Sequence, residues 1–226
     1  MTILALRNQL VDLSTALVRK GLNRGTAGNA SIRVDDDSFL VTPSGVEPHA
    51  MKPADTVMME MDGRFRGERA PSSEWRFHRD ILAAREDVGC VIHTHAPFCT
   101  TLACLGRGIP SFHYMVAAAG GHDVRCAPYA TFGTQGLSDH ALEALEGRRA
   151  CLLAHHGMIV TGETWQKALK LAVELEELAE QYWRILQVEP NPPLLDAAEM
   201  DRVLEKFKTY GRPIEADEDG QRTAAE

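Results

Sequence analysis

Val91-Ile92-His93-Thr94-His95-Ala96-Pro97 reads as an apolar β-strand that carries two histidines one residue apart and stops at a proline. In extended backbone, residues i and i+2 point to the same face, so the two imidazoles converge on one point. A divalent metal needs that convergence. The pair alone also suits histidines satisfied inside a core or on a surface, so further donors decide. Glu74 stands upstream on the first turn of an expected helix, and His155-His156 closes the apolar run Cys151-Leu152-Leu153-Ala154 ahead of Gly157. Three imidazoles and a carboxylate make a zinc-type donor set, either structural or catalytic. Structural zinc more typically uses thiolates at short spacing, and the chain contains no Cys-x-x-Cys. Donors drawn from separate segments, one of them a displaceable carboxylate, favour a catalytic site.

Outward from this strand, periodicity lays out the rest. Leu6, Leu10, Leu13 and Leu17 stripe a helix over 3–20, which ends in the Gly/Asn-rich stretch 21–29. Alternation at 31–34 and 39–41, around Asp35-Asp36-Asp37, predicts a hairpin, and 57–61 a further strand closed by Asp62-Gly63. Pro71-Ser72-Ser73 marks a helix start, with Phe77, His78, Ile81 and Leu82 along that helix. Pro97 opens a short helix over 98–105. Residues 109–136 read as mostly strand and loop, 139–146 as helix and 151–154 as a buried strand. Long and short amphipathic helices follow at 164–186 and 196–209. Hairpins mixed with helices predict an α/β fold: one domain over 1–215, an α/β/α sandwich on a mixed sheet. The polar segment 216–226 has nothing to bury and reads as disordered.

Composition narrows the functional classes. The 226 residues are 44% hydrophobic and 25% charged, as in an ordinary globular domain, and the net charge is −8. That charge repels nucleic acid and anionic membrane surfaces at long range, while backbone amides remain able to bind small anions. Met1–Lys20 lacks the basic start and unbroken apolar core of a signal peptide, and no apolar window reaches spanning length. Five cysteines, scattered in apolar surroundings, read as reduced thiols of a cytoplasmic protein.

Three short stretches look like anion cradles. Gly25-Thr26-Ala27-Gly28-Asn29 and Thr42-Pro43-Ser44-Gly45 offer small residues, hydroxyls and exposed amides. Ser72-Ser73 adds two hydroxyls at the positive end of a helix dipole. Each is more often a plain turn or cap, yet Ser72-Ser73 adjoins Glu74 and so sets an anion site beside the metal. Nucleophilic chemistry finds little support: there is no Gly-x-Ser-x-Gly elbow, and the six lysines sit among polar neighbours or on amphipathic helices.

Taken in order, these motifs resemble the class II aldolase/adducin family. The match runs through Gly21–Asn29, Thr42-Pro43-Ser44-Gly45, Pro71–His78, His93-Thr94-His95, Ile109–Met115, Ala127–Thr134 and Lys206–Gly211, nearly to the end of the chain. The resemblance implies a largely antiparallel sheet and a Zn²⁺ held by Glu74, His93, His95 and, of the adjacent pair, His156, with Mn²⁺ or Co²⁺ as substitutes. It implies a homotetramer with active sites between subunits. The phosphate of a phosphorylated sugar would be held by Thr26, Asn29, Ser44, Gly45, Ser72 and Ser73. Tyr114 and Tyr210 would act at a neighbour's site, and Phe132 would wall the aldehyde pocket. The implied reaction is reversible cleavage of a ketose 1-phosphate to dihydroxyacetone phosphate and a small aldehyde, with Glu74 exchanging a proton at C3. The family's epimerase branch carries Asp at the position of Glu74, and its adducin-like members lack the metal histidines. Gln135-Gly136 departs from the charged pair of the branch that fits best.

Overall fold

The structure is a computed structural model that describes residues 1–209. Tyr210 and the segment 216–226 therefore lie outside the described residues. One eight-stranded sheet organises the chain, in the order β4-β3-β2-β1-β5-β8-β7-β6. The strands are β1 (Asn29–Arg33), β2 (Ser38–Val41), β3 (Val57–Glu60), β4 (Phe65–Arg66), β5 (Cys90–Thr94), β6 (Arg125–Ala127), β7 (Ala150–Leu153) and β8 (Gly157–Gly162). Every neighbouring pair is antiparallel except β6 and β7.

Among the described residues, six α-helices cover the two faces: α1 (Ile3–Arg19), α2 (Trp75–Ala84), α3 (Pro97–Cys104), α4 (Gln135–Ala144), α5 (Trp165–Leu186) and α6 (Ala197–Phe207). The pleat decides which residues meet which layer. Ala30, Ile32, Cys90, Ile92, Leu152 and Val160 face α1, α3, α5 and α6, whose Leu10, Leu13, Leu102, Leu175 and Met200 complete that core. Val91, Phe39, Val41, Leu153 and Ile159 face the other way, onto Phe77, Ile81 and Leu82 of α2 and Leu137 and Ala141 of α4. The expected α/β/α sandwich is this arrangement. Each fully buried Leu or Ile contributes about 1.5–3 kcal/mol of transfer free energy, so both layers are held largely by these stripes.

Three local expectations are corrected, and one strand joins those read from the sequence. The run Met158-Ile159-Val160-Thr161 belongs to a strand, β8, which lies between β5 and β7. The helix expected over 139–146 starts at Gln135, because the Thr134 side chain accepts from the amide of Leu137 and caps it. Within 109–136 a 3-10 turn occupies Tyr114–Ala119. Glu74 is the N-cap of α2, not a residue of its first turn.

Pairing register then fixes the centre. Asn29 lies opposite His93 across β1 and β5, and His93 lies opposite Ile159 across β5 and β8. His93 shares a face with Val91, so it points to the α2 side of the sheet.

Candidate active site

His93 is fully buried, and its Nδ1 lies 3.0 Å from the carbonyl oxygen of Met158 on β8. A carbonyl only accepts, so Nδ1 carries the proton and Nε2 presents a lone pair. That lone pair faces Nε2 of His95 at 3.1 Å and Oε2 of Glu74 at 3.3 Å. His95 stands just past the end of β5, at the exposed side of the cluster. Nε2 of His156 lies 3.3 Å from Oε1 of Glu74. The three rings meet edge to face, with centroids 4.7, 4.9 and 5.0 Å apart.

Local backbone aims these groups. His155, at φ 56, is the sole non-glycine residue with positive φ among the described residues. This left-handed turn folds β7 back into β8 and carries His156 round to the sheet face, at a cost of order 1–3 kcal/mol. Gly157 follows because β8 crosses β5 there at close range.

Electrostatics favour a bound cation. Burial, helped by the neighbouring His95, pushes the His93 pKa down to about 3. Burial also lowers His156, to about 4, helped by His93, and lowers His95. At neutral pH all three imidazoles are uncharged, the form that ligates metal. Their ring nitrogens lie within 4.8 Å of one another. Oε1 of Glu74 is buried and has no hydrogen-bond donor among the described residues. Lone pairs and carboxylate oxygens thus face each other across a small gap, and a positive charge placed between them relieves the repulsion. The donor set fits a divalent ion with nitrogen and oxygen ligands.

Above the cluster opens a cleft of about 340 Å³. It is lined by Thr26–Asn29, Pro43-Ser44-Gly45, Ser72-Ser73, Tyr129, Ala130, Phe132 and His155. All three expected cradles therefore line one cleft with Glu74, His95 and His156, and Phe132 lines it too. Ser72 is buried, and its hydroxyl accepts from the Glu74 amide at 3.3 Å; Ser44 and Ser73 are exposed to the cleft. No lysine lines it.

A class II aldolase and adducin N-terminal domain model matches residues 8–183. The chain belongs to this family. Within it, the chain is 63% identical over 208 residues to a 5-methylthioribulose-1-phosphate/5-deoxyribulose-1-phosphate aldolase of Rhodospirillum rubrum, covering 92% of this chain and 93% of that one. It is 46% identical over 210 residues to L-fuculose phosphate aldolase of Escherichia coli (strain K12), covering 93% and 97%. A solved L-fuculose 1-phosphate aldolase superposes with a TM-score of 0.87 at 38% identity, covering 90% of this chain and 96% of that chain.

Two residues of this class II aldolase chain sit apart from the cleft. Tyr114 begins the 3-10 turn, is 51% exposed and stacks on His113 at 4.8 Å. Gln135 hydrogen-bonds Asp80 and Asp139, tying α4 to α2, so the departure at 135–136 falls outside the cleft wall. Sequence reasoning missed Tyr129 and His155 as cleft residues. It also missed Ser31 and His78, which lie behind the cleft: His78 Nδ1 is 2.8 Å from Ser31 Oγ, and its Nε2 is 2.6 Å from Asn29 Oδ1. Asn29 Nδ2 donates to Glu74 Oε2 at 2.9 Å, so this amide is engaged at both ends.

Proposed function

We propose that this chain is a Zn²⁺-dependent aldolase that reversibly cleaves a ketose 1-phosphate to dihydroxyacetone phosphate and a small aldehyde. The observation that carries this reading is the juxtaposition of three neutral imidazoles and Glu74 with the serine-rich wall at 44–45 and 72–73. The 63% identical relative makes 5-methylthioribulose 1-phosphate or 5-deoxyribulose 1-phosphate the first choice, with L-fuculose 1-phosphate second.

The chain's own groups divide the work. His93, His95 and His156 hold the ion, with Glu74 as the displaceable fourth donor. The ion supplies positive charge that stabilises the negative charge developing at C2 and C3 as the C3–C4 bond breaks. Thr26, Asn29, Ser44, Gly45, Ser72 and Ser73 surround the phosphate, the α2 N-terminus adding its dipole. Glu74, on the same side as that wall, delivers a proton to C3 in cleavage and removes it in synthesis. Tyr114, exposed and away from its own cleft, serves a neighbour's site by relaying the C4 hydroxyl proton, passing its own phenol proton on to solvent as it receives that one; Tyr210 contributes there too. Phe132 and Tyr129 wall off the aldehyde. The proposal includes a homotetramer with clefts at subunit boundaries, as the family resemblance implies, and a cytoplasmic location.

Assaying purified protein with a panel of ketose 1-phosphates for dihydroxyacetone phosphate release tests the proposal. The expected result is the highest kcat/KM for the 5-deoxy or 5-methylthio pentulose. Conversion of ribulose 5-phosphate to xylulose 5-phosphate without release would point to an epimerase, and water loss without release to a dehydratase.

A further inference from the structure

Behind the donor cluster, two pairs of polar side chains interlock. Asn29 and Ser31 share one face of β1 at strand spacing, and Glu74 and His78 share one side of the α2 N-terminus at helix spacing. Three hydrogen bonds join them into a line: Ser31 to His78 at 2.8 Å, His78 to Asn29 at 2.6 Å, and Asn29 to Glu74 at 2.9 Å. Ser31 and His78 are completely buried, while Asn29 and Glu74 are 8% and 7% exposed.

The direction of every proton in this line follows from its end. A carboxylate only accepts, so the Asn29 amide must present Nδ2 to Glu74 and Oδ1 to His78. Oδ1 only accepts, so His78 must carry its proton on Nε2. His78 is neutral in this buried setting, so Nδ1 is left as an acceptor, and Ser31 must donate to it. No member has a second choice that keeps all three bonds. Reversing the amide would set a carbonyl oxygen against the carboxylate and an NH₂ against an N–H.

We infer that Ser31 and His78 are positioning residues that lock the Asn29 amide, and through it the Glu74 carboxylate, in the orientation a metal ion requires. The Asn29 side chain, which also lines the cleft, then holds Glu74 and His78 at once. The inference rests on the metal-site reading above but not on the substrate. Partners that orient a ligating side chain typically change metal affinity by about 10–100-fold when removed.

The test is metal binding by the full-length protein, with Zn²⁺ affinity from chelator competition and the d–d spectrum of the Co²⁺-loaded form. His78→Leu is expected to weaken Zn²⁺ by about 10-fold or more and to alter the Co²⁺ spectrum. Ser31→Ala, a smaller change that leaves the core filled, is expected to do the same to a lesser degree. His78→Gln, which keeps one donor and one acceptor, restores part of the affinity. In an Asn29→Ala background, His78→Leu costs little further affinity, because the line is already cut. Wild-type affinity and spectrum in folded Ser31→Ala and His78→Leu, or losses that simply add in the double variant, would overturn the inference. Failure of the aldolase reading is separate: there the wild-type protein binds Zn²⁺ normally yet releases no dihydroxyacetone phosphate.

Discussion

A Cβ built on Gly157 would lie 2.3 Å from the carbonyl oxygen of Thr94 and 3.1 Å from Cδ2 of His95. The first contact is with backbone at the heart of the β5–β8 pair, where nothing yields cheaply. Gly157→Ala should force the strands apart between His95 and His156. The expected outcome is a loss of about 1–3 kcal/mol in stability together with weakened metal binding. Urea unfolding and metal content per chain measure both, and a variant that keeps wild-type values for each contradicts the account.

Glu176 on α5 governs the helix that follows His95. Its two carboxylate oxygens accept from the amides of Phe98 and Cys99 at 2.8 and 2.9 Å, capping α3 from outside its own sequence. No side chain within α3 or at its N-cap does this job. Glu176→Ala leaves two helix-terminal amides without that acceptor and should cost about 1–3 kcal/mol. Glu176→Gln, which retains one carbonyl oxygen, should cost less. Equal thermal midpoints for both variants and wild type would remove Glu176 from this role.

Glu74→Gln preserves size and removes the exchangeable proton. Turnover should fall by about 10²–10⁴-fold while KM for the ketose phosphate moves much less. Near-normal kcat with a raised KM would make Glu74 a binding group instead.

Acid should destabilise the metal-free protein through its buried imidazoles. The unfolded histidine value is about 6.5. His93 falls to about 3 and His156 to about 4 in the fold, while burial holds His78 well below its ordinary value. Between those limits the unfolded chain binds more protons than the folded one. This stability is therefore fully present above about pH 6.5 and is lost progressively as pH falls toward 4 and below. The slope has an upper bound near 1.4 kcal/mol per pH unit for each imidazole. Denaturation of chelator-treated protein from pH 7.5 to 5 should show a falling midpoint, and a flat profile would contradict the burial argument.

Metal removal gives a complementary readout. An ion that binds only the folded chain adds about 2.7 kcal/mol at 100 times its Kd. Chelation should lower the thermal midpoint and abolish aldol cleavage, and added Zn²⁺ should restore both. Full activity after exhaustive chelation would sink the metal assignment.

Much of this was legible in the residues. The apolar run Val91-Ile92 with His93 and His95 one residue apart gave the strand and the shared face of the two imidazoles, while packing in the structure identifies that face as the α2 side. Leu6, Leu10, Leu13 and Leu17 settled α1 in the same way. β8 was hidden because the turn before it contains no glycine; it is His155 that adopts the left-handed conformation, which residue type alone does not announce. The start of α4 was hidden by Gly136, a poor helix former that the Thr134 cap and the Leu137 contact override. At the site, donor types and the small-residue loops pointed to the cleft. The Ser31–His78–Asn29 line did not stand out, because each residue has an ordinary reading in its own element and acquires meaning only when β1 and α2 are packed together.

The donor set is also distributed in a way that bears on how the molecule is made. Glu74, His93 and His95 precede His156 by most of a half-sheet, and the Met158 carbonyl that fixes the His93 tautomer lies beyond it on β8. A nascent chain released from the ribosome only as far as β7 has neither the third imidazole nor the strand that orients the first. Only when the hairpin of β7 and β8 docks beside β5 are all four donors assembled. On the proposed metal site, the complete donor set comes last in synthesis, and a full set of ligands exists only where β8 has paired with β5.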